Sequence, residues 1–330
     1  MVQRFPYSWE PTKCQGYMCM QVVRGLEGIR PETFQRAVVT IGNFDGCHVG
    51  HQEIFRRTCA HAGRIGGTGV AVTFDPHPAA LVKGITPELI FTLDEKIQAI
   101  ESLGLDGLVI VPFTREFAET DPEVFVREVV VRRLQARGVV VGHDFAFGKR
   151  AAGDIAFLRR MGAKMGFFVE CVDPVSRDGQ VVSSTLIRRL IHSGDVKRAS
   201  RLMLHPYRLS GRVVHGMARG RSLGFPTANI VPDKALIPAY GVYAVHAHTG
   251  SGSFQGVANI GNNPTFGDTG TSIETFLFGF EGDLYGTVLT IEFVEHIRGE
   301  IQFADKRYLV EQIGLDCRRA QEILGGGEQG

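Results

Sequence analysis

The chain has 330 residues, enough for two domains that each bury their own core. Its 36 basic and 35 acidic residues leave a formal net charge of +1, so electrostatics makes no case for a nucleic-acid or membrane-surface partner. No apolar run approaches the roughly 18 residues of a membrane span, residues 1–19 lack the apolar core of a signal peptide, and scattered cysteines without Cys-x-x-Cys or zinc-ligand spacing fit a cytoplasmic protein.

From about residue 37 to 200, short apolar runs at 38–41, 70–74, 108–111, 139–141 and 167–172 predict strands that alternate with helices. Leu93, Ile97 and Ile100 share one helical face after a capping box of Thr92 and Glu95. Asp121-Pro122-Glu123 predicts a helix start, and Gly138 its stop. This alternation predicts a doubly wound α/β domain with a mainly parallel sheet, whose ligands lie beyond the carboxyl ends of the strands.

Two segments fall at such ends: Phe74-Asp75-Pro76-His77-Pro78, and Gly42-Asn43-Phe44-Asp45-Gly46-Cys47-His48-Val49-Gly50-His51. In the second, glycines let the backbone approach a ligand closely. His48 and His51 are three apart at the start of a helix, so they share a face near its positive end. Helix N–H groups there suit an anion, and imidazoles suit the charge on a transferring phosphate. A metal site, or two helix-surface histidines, remain open on these residues alone.

After about residue 205, segments 207–214, 241–248, 254–260, 272–280 and 286–294 are short and separated by glycine, proline or asparagine. Leu289, Ile291 and Phe293 alternate with Thr290 and Glu292, the period of a half-buried strand. A small antiparallel barrel is predicted, closed by a C-terminal helix carrying Leu309, Ile313, Cys317, Ala320 and Leu324. The boundary reads near Leu204-His205-Pro206. The resulting division is an extension at 1–19, domains at 20–204 and 205–324, and a Gly-rich disordered tail at 325–330.

The second half carries its own phosphate candidate. Gly216, Gly220 and Gly224, with Arg219 and Arg221, could wrap a polyphosphate through backbone N–H groups. If a strand follows, Thr227 and Asn229 fall on one side and present oxygen ligands suited to Mg²⁺. A basic surface turn is the plain alternative.

Taken with Thr73-Phe74-Asp75-Pro76-His77-Pro78, Gly142-His143-Asp144-Phe145-Ala146-Phe147-Gly148, Ser183-Ser184-Thr185-Leu186-Ile187-Arg188, Gly224-Phe225-Pro226-Thr227-Ala228-Asn229 and Asn259-Ile260-Gly261 with Pro264-Thr265-Phe266, these motifs run in one order. In that order the chain resembles the prokaryotic bifunctional riboflavin kinase/FAD synthetase family, from about residue 20 to 324. The resemblance implies two Mg²⁺-dependent reactions. A C-terminal kinase phosphorylates riboflavin with ATP to FMN, and an N-terminal FMN adenylyltransferase joins AMP to FMN, giving FAD and pyrophosphate.

It further implies roles. His48 and His51 contact ATP phosphates and stabilise adenylyl transfer, in a loop shaped by Asn43, Asp45 and Gly46. Ser184, Thr185 and Arg188 suit the leaving pyrophosphate, although the two hydroxyls alone would read as helix capping. His77, Asp144, Phe145 and Phe147 become flavin or nucleotide contacts, with core packing the alternative for the aromatics. Thr227 and Asn229 hold Mg²⁺ and ATP, Glu274 is the base for the ribityl hydroxyl, and Arg298 lies near the flavin with Phe303. A lone strand Glu is by default a solvated residue, so the Glu274 role rests on the resemblance.

The chain departs from the family pattern at Cys47, Ala151 (with Arg150 beside it), Met217, Phe276 and Gly279. Three readings therefore stay open: a bifunctional enzyme, an enzyme with one live half, or a flavin-binding protein without turnover. No nucleic-acid or membrane partner is expected, and the sequence leaves the oligomeric state undetermined. Met18 and Met20 are both candidate starts.

Overall fold

The computed structural model describes residues 20–326 apart from 31, 83, 86, 217–223 and 263–269. The expected extension at 1–19, most of the tail, Met217, Arg219, Gly220, Arg221 and Pro264-Thr265-Phe266 lie outside the described residues. The chain forms two compact units, which divide between Ser184 and Thr185, with residues 88–90 belonging to the second.

The first unit runs β1 (Gln21–Arg24), β2 (Val38–Ile41), α1 (Val49–Arg64), β3 (Gly69–Asp75), α2 (Pro78–Val82), α3 (Leu93–Ser102), β4 (Gly107–Pro112), α4 (Arg115–Ala118) and α5 (Pro122–Phe125). α5 continues as a π-helix over Val126–Arg133, followed by β5 (Gly138–Gly142), α6 (Ile155–Met165), β6 (Phe168–Val172) and a hairpin of β7 (Ser176–Arg177) and β8 (Gln180–Val181). The main sheet has the order β1-β4-β3-β2-β5-β6, every pair parallel. Val38, Val39, Val70, Val72, Val109, Val139 and Val140 are fully or almost fully buried, as a sheet covered on both faces requires.

The strand order reverses at β2. The chain moves from β2 through β3 to β4 on one side and returns to β5 and β6 on the other, so the loop after β2 lies at the topological switch point. The Thr92–Glu95 capping box forms reciprocally, and Asp121 caps α5 with Pro122 in its first turn, both as predicted.

Gly138 does not stop that helix. The helix ends at Leu134, and Gly138 opens β5, where a Cβ would lie 2.1 Å from the Phe168 ring. The glycine is a packing requirement between neighbouring strands rather than a helix signal. β1 is a sixth strand beyond the five predicted.

The second unit begins with α7 (Ser184–His192, from Thr185 onward) and α8 (Val196–Met203). β9 (Tyr207–Val214), β10 (Thr227–Pro232), β11 (Gly241–Thr249), β12 (Gly252–Asn262), β13 (Thr271–Leu277), β14 (Val288–Arg298) and α9 (Lys306–Gly325) follow. The six strands close a barrel in the order β10-β13-β12-β11-β14-β9, every pair antiparallel. Closure removes the unpaired edges of an open sheet. Leu289, Ile291 and Phe293 are fully buried as their alternation predicts, and α9 places Ala320 and Leu324 against Val242, Ala244 and Val257. Packing thus groups α7 and α8 with the barrel, about twenty residues before the change in patterning at 205.

Candidate active sites

In the first unit the loop from β2 to α1 is held in a left-handed conformation at Phe44, Gly46 and Cys47. Gly42 is required because the Phe44 ring folds back over it, 2.8 Å from where a Cβ would stand. The Asn43 carbonyl accepts the Thr73 hydroxyl at 3.2 Å, which ties the loop to β3. Asp45 is 1% exposed; its carboxylate accepts the Phe91 N–H at 3.0 Å, and its carbonyl accepts the Ser184 hydroxyl at 2.9 Å. Burial pushes the Cys47 thiol well up, so it is a neutral filler of this loop.

His48 precedes the first turn of α1, and His51 lies within it. Their rings stack with centroids 3.7 Å apart and planes 18° apart. Gly50 makes room, since a Cβ there would stand 3.2 Å from the His48 ring. The Phe44 ring meets His51 edge-on at 5.4 Å. Buried His51 Nδ1 has no hydrogen-bond partner among the described residues. Burial first, then the neighbouring His48 and Lys96, hold the His51 pKa well below its ordinary 6.5, so this imidazole is neutral near pH 7. The first turn of α1 carries no acidic side chain. A helix N-terminus with two stacked imidazoles and no competing carboxylate is a surface for anionic oxygens.

Other expected contacts are placed less uniformly. His77 Nδ1 accepts the Ala79 N–H at 3.2 Å in the turn into α2. Asp144 is exposed just beyond β5. Phe145 stacks on Phe147 at 5.3 Å, but Phe147 is 8% exposed and packs with Phe125 and Phe157 in the core. Core packing accounts for Phe147, leaving Phe145 as the more available ring. Thr185 is exposed, and Arg188, in the second unit, donates from Nε to the Glu88 carbonyl at 2.7 Å. Arg150 and Ala151 both take left-handed backbone.

The barrel unit assembles a second constellation. β10 is the strand on which the Thr227 and Asn229 pairing depended. Asn229 lies opposite Glu274 on β13, and Glu274 lies opposite Asn259 on β12, so three polar side chains form one row across adjacent strands. The Thr227 hydroxyl donates to Glu274 Oε2 at 3.3 Å. Asn229 is 6% exposed, yet its buried Oδ1 has no partner among the described residues. Gly216 closes over it: a Cβ there would stand 2.4 Å from Asn229 Nδ2. Gly224 has φ +85° with open space around it, a turn glycine next to the strand. The departures Phe276 and Gly279 are accommodated, Phe276 edge-on to Phe225 at 5.4 Å and Gly279 in a left-handed turn. Arg298 forks onto Asp316 of α9 at 2.7 and 3.0 Å, and Gln312 donates to the same carboxylate at 2.9 Å.

Sequence reasoning assigned no role to Asn259 or Lys96. Asn259 stood in a quoted motif, but only strand register puts it beside Glu274. Lys96 shares the Leu93, Ile97 and Ile100 stripe, and a cation in an apolar stripe was the available signal.

A parallel α/β unit with a glycine- and histidine-lined loop at its switch point, followed by an antiparallel barrel with a hydroxyl, an amide and a carboxylate aligned, has the make-up of a two-unit transferase. The comparisons agree with that order. Residues 30–186 match the family model for FAD synthetase, and residues 203–324 match that for riboflavin kinase. The chain is 36% identical over 307 residues to a bifunctional riboflavin kinase/FMN adenylyltransferase of Haemophilus influenzae, covering 92% of this chain and 99% of that one. It is 33% identical to the Escherichia coli K12 protein of the same description, covering 93% and 98%. A solved Streptococcus pneumoniae structure, described as a macrolide-efflux protein, superposes with a TM-score of 0.82 at 30% identity, covering 91% of this chain and 97% of that one. Among the described residues no helix of this chain is long and apolar enough to cross a membrane. The chain belongs to the bifunctional riboflavin kinase/FMN adenylyltransferase family.

Proposed function

We infer that the chain makes FMN and then FAD by two transfers from ATP, one in each unit. In the barrel unit the riboflavin 5′-hydroxyl attacks the γ-phosphorus, the bond to the β-phosphate oxygen breaks, ADP leaves, and Glu274 takes the hydroxyl proton. In the α/β unit an FMN phosphate oxygen attacks the α-phosphorus of ATP, and the bond to the β-phosphate oxygen breaks to release pyrophosphate. His48 and His51 offer hydrogen bonds to the charge that develops there, in a loop positioned by Asn43, Asp45 and Gly46. Neither transfer needs a covalent enzyme intermediate, so positioning and charge stabilisation supply the catalysis. We carry Ser184 as a phosphate contact on its tie to the Asp45 carbonyl.

One observation supports the kinase assignment above the others: Asn229, whose buried Oδ1 has no partner among the described residues, stands directly opposite Glu274. With the Thr227 hydroxyl and the Glu274 carboxylate on the same face, it offers oxygen donors that fit a hard cation. Among the described residues no cluster of three His, Cys, Asp or Glu side chains could hold a metal. A site built from Thr227 and Asn229 would thus be completed by ATP phosphates, the usual mode for Mg²⁺. When bound, Mg²⁺ would neutralise phosphate charge during transfer. The free Cys47, Cys59, Cys171 and Cys317 support a reducing, cytoplasmic setting.

The test is chemical. Purified protein is incubated with Mg·ATP and either riboflavin or FMN, and the flavins are separated by chromatography. Riboflavin should yield both FMN and FAD. FMN accumulating alone would remove the adenylyl-transfer assignment, and FAD formed only from supplied FMN would remove the Glu274 assignment.

A further inference from the structure

The inward face of α3 carries a cation. Lys96 is 6% exposed, as buried as a core residue, on the same side as Ala99 and Ile100. Its ammonium makes no hydrogen bond and no ion pair among the described residues. The stem is packed in the stripe while the ammonium keeps contact with solvent, where a leucine or methionine would bring no charge. The position is also rigid. Lys96 directly follows Glu95 of the capping box, and the Phe91 N–H just before the box is fixed to the Asp45 carboxylate at 3.0 Å. The helix start is thereby docked on the loop between β2 and α1.

Asp45, Cys47 and Asp75 act on the Lys96 ammonium, which is itself among the influences that lower His51. Asp45 is already engaged by the Phe91 amide, and Asp75 is exposed at the end of β3. Burial draws the Lys96 pKa below its ordinary 10.5, while both carboxylates oppose that shift. Lys96 therefore stands on the helix whose start is docked to the switch-point loop, with its donors unspent among the described residues.

We propose that Lys96 is a phosphate-binding residue of the adenylyl-transfer site, its ammonium joining His48, His51 and the α1 N-terminus in holding the nucleotide's polyphosphate and the pyrophosphate that leaves. This rests on the function assigned above to the α/β unit. Phosphate oxygens supply the acceptors that the protein withholds, and the charge appearing on the leaving group falls next to a fixed cation.

The test uses the full-length chain with Lys96→Met and Lys96→Arg, melted with and without inorganic pyrophosphate in EDTA. Adenylylation of FMN and phosphorylation of riboflavin are measured alongside. Pyrophosphate should raise the wild-type melting temperature and leave that of K96M unmoved. kcat/KM for FMN adenylylation should fall about 100-fold in K96M, with partial recovery in K96R and riboflavin phosphorylation unchanged. A folded K96M with the wild-type pyrophosphate shift and wild-type adenylylation would overturn the proposal. If K96M does not fold, the Lys96 resonance of ¹³C-lysine-labelled wild type, assigned with K96R, decides: it shifts on pyrophosphate addition if the proposal holds, and stays if it fails. Wild type that forms no FAD would instead remove the underlying assignment.

Discussion

Thr227 and Glu274 meet across the β10–β13 pair, the hydroxyl donating to the carboxylate at 3.3 Å. The contact fixes the direction of a half-buried carboxylate and engages one of its two oxygens. Asn229, two residues along β10, stands directly opposite Glu274, so the proposed base and the proposed cation ligands are set by one strand register.

That register makes Gly216 a sensitive position. A methyl group there would lie 2.4 Å from Asn229 Nδ2 and push the carboxamide aside. Gly216→Ala should lower kcat/KM for riboflavin phosphorylation at least tenfold, with stability changed by only about 1 kcal/mol. FAD formation from supplied FMN should be unaffected. Parallel assays of the two reactions on one preparation check this.

Asp45 is expected to act through the backbone. Asp45→Ala removes the carboxylate acceptor of the buried Phe91 amide, at a cost of about 1–3 kcal/mol. Asp45→Asn keeps an acceptor and should recover most of that loss. Denaturant melts of the two variants, set beside their FMN adenylylation rates, separate loop anchoring from any effect of the charge.

His51 gives the α/β unit an acid-sensitive term. Its folded pKa lies well below 6.5, chiefly through burial, whereas the unfolded chain takes up the proton as pH falls through 6.5. The unfolded state then binds more protons than the folded one, so stability declines as pH drops below 6.5. His51→Asn should flatten the melting temperature over that interval; an unchanged slope would assign the acid loss to other groups.

Buried Asp316 pairs with partly buried Arg298, their side chains 4% and 19% exposed. Removing one partner strands the other, so Asp316→Ala should destabilise the barrel unit by about 3 kcal/mol. Because Asp316 orients the guanidinium, the same change should raise the KM for riboflavin if Arg298 lies near the flavin. A lower melting temperature with an unchanged KM would confine Arg298 to tying β14 to α9.

Much of this architecture was legible in residue order, for physical reasons. Val38 to Ile41 and Leu289 to Phe293 are all buried or strictly alternating, and periodicity reports such strands well. β1 escaped because it is four residues long with only Val23 buried. Gly138 misled because a glycine that relieves packing against Phe168 looks like one that ends a helix. α7 and α8 side with the barrel through packing that patterning does not encode. Glycine and histidine spacing pointed to the loop after β2, and the strand order puts that loop at the switch point. Asn259 needed strand register, and Lys96 needed burial, since a lysine reads as exposed until its helix face is known.

The central claim is one independent site per unit, and complementation tests it most directly. His51→Ala and Glu274→Ala proteins are incubated separately and together with riboflavin and Mg·ATP, and FAD is quantified. Alone, the first should stop at FMN and the second should leave riboflavin unconverted. Mixed, they should form FAD, because FMN released by one is a substrate for the other. A mixture of folded variants that forms no FAD, with FMN still made by His51→Ala, would contradict the account.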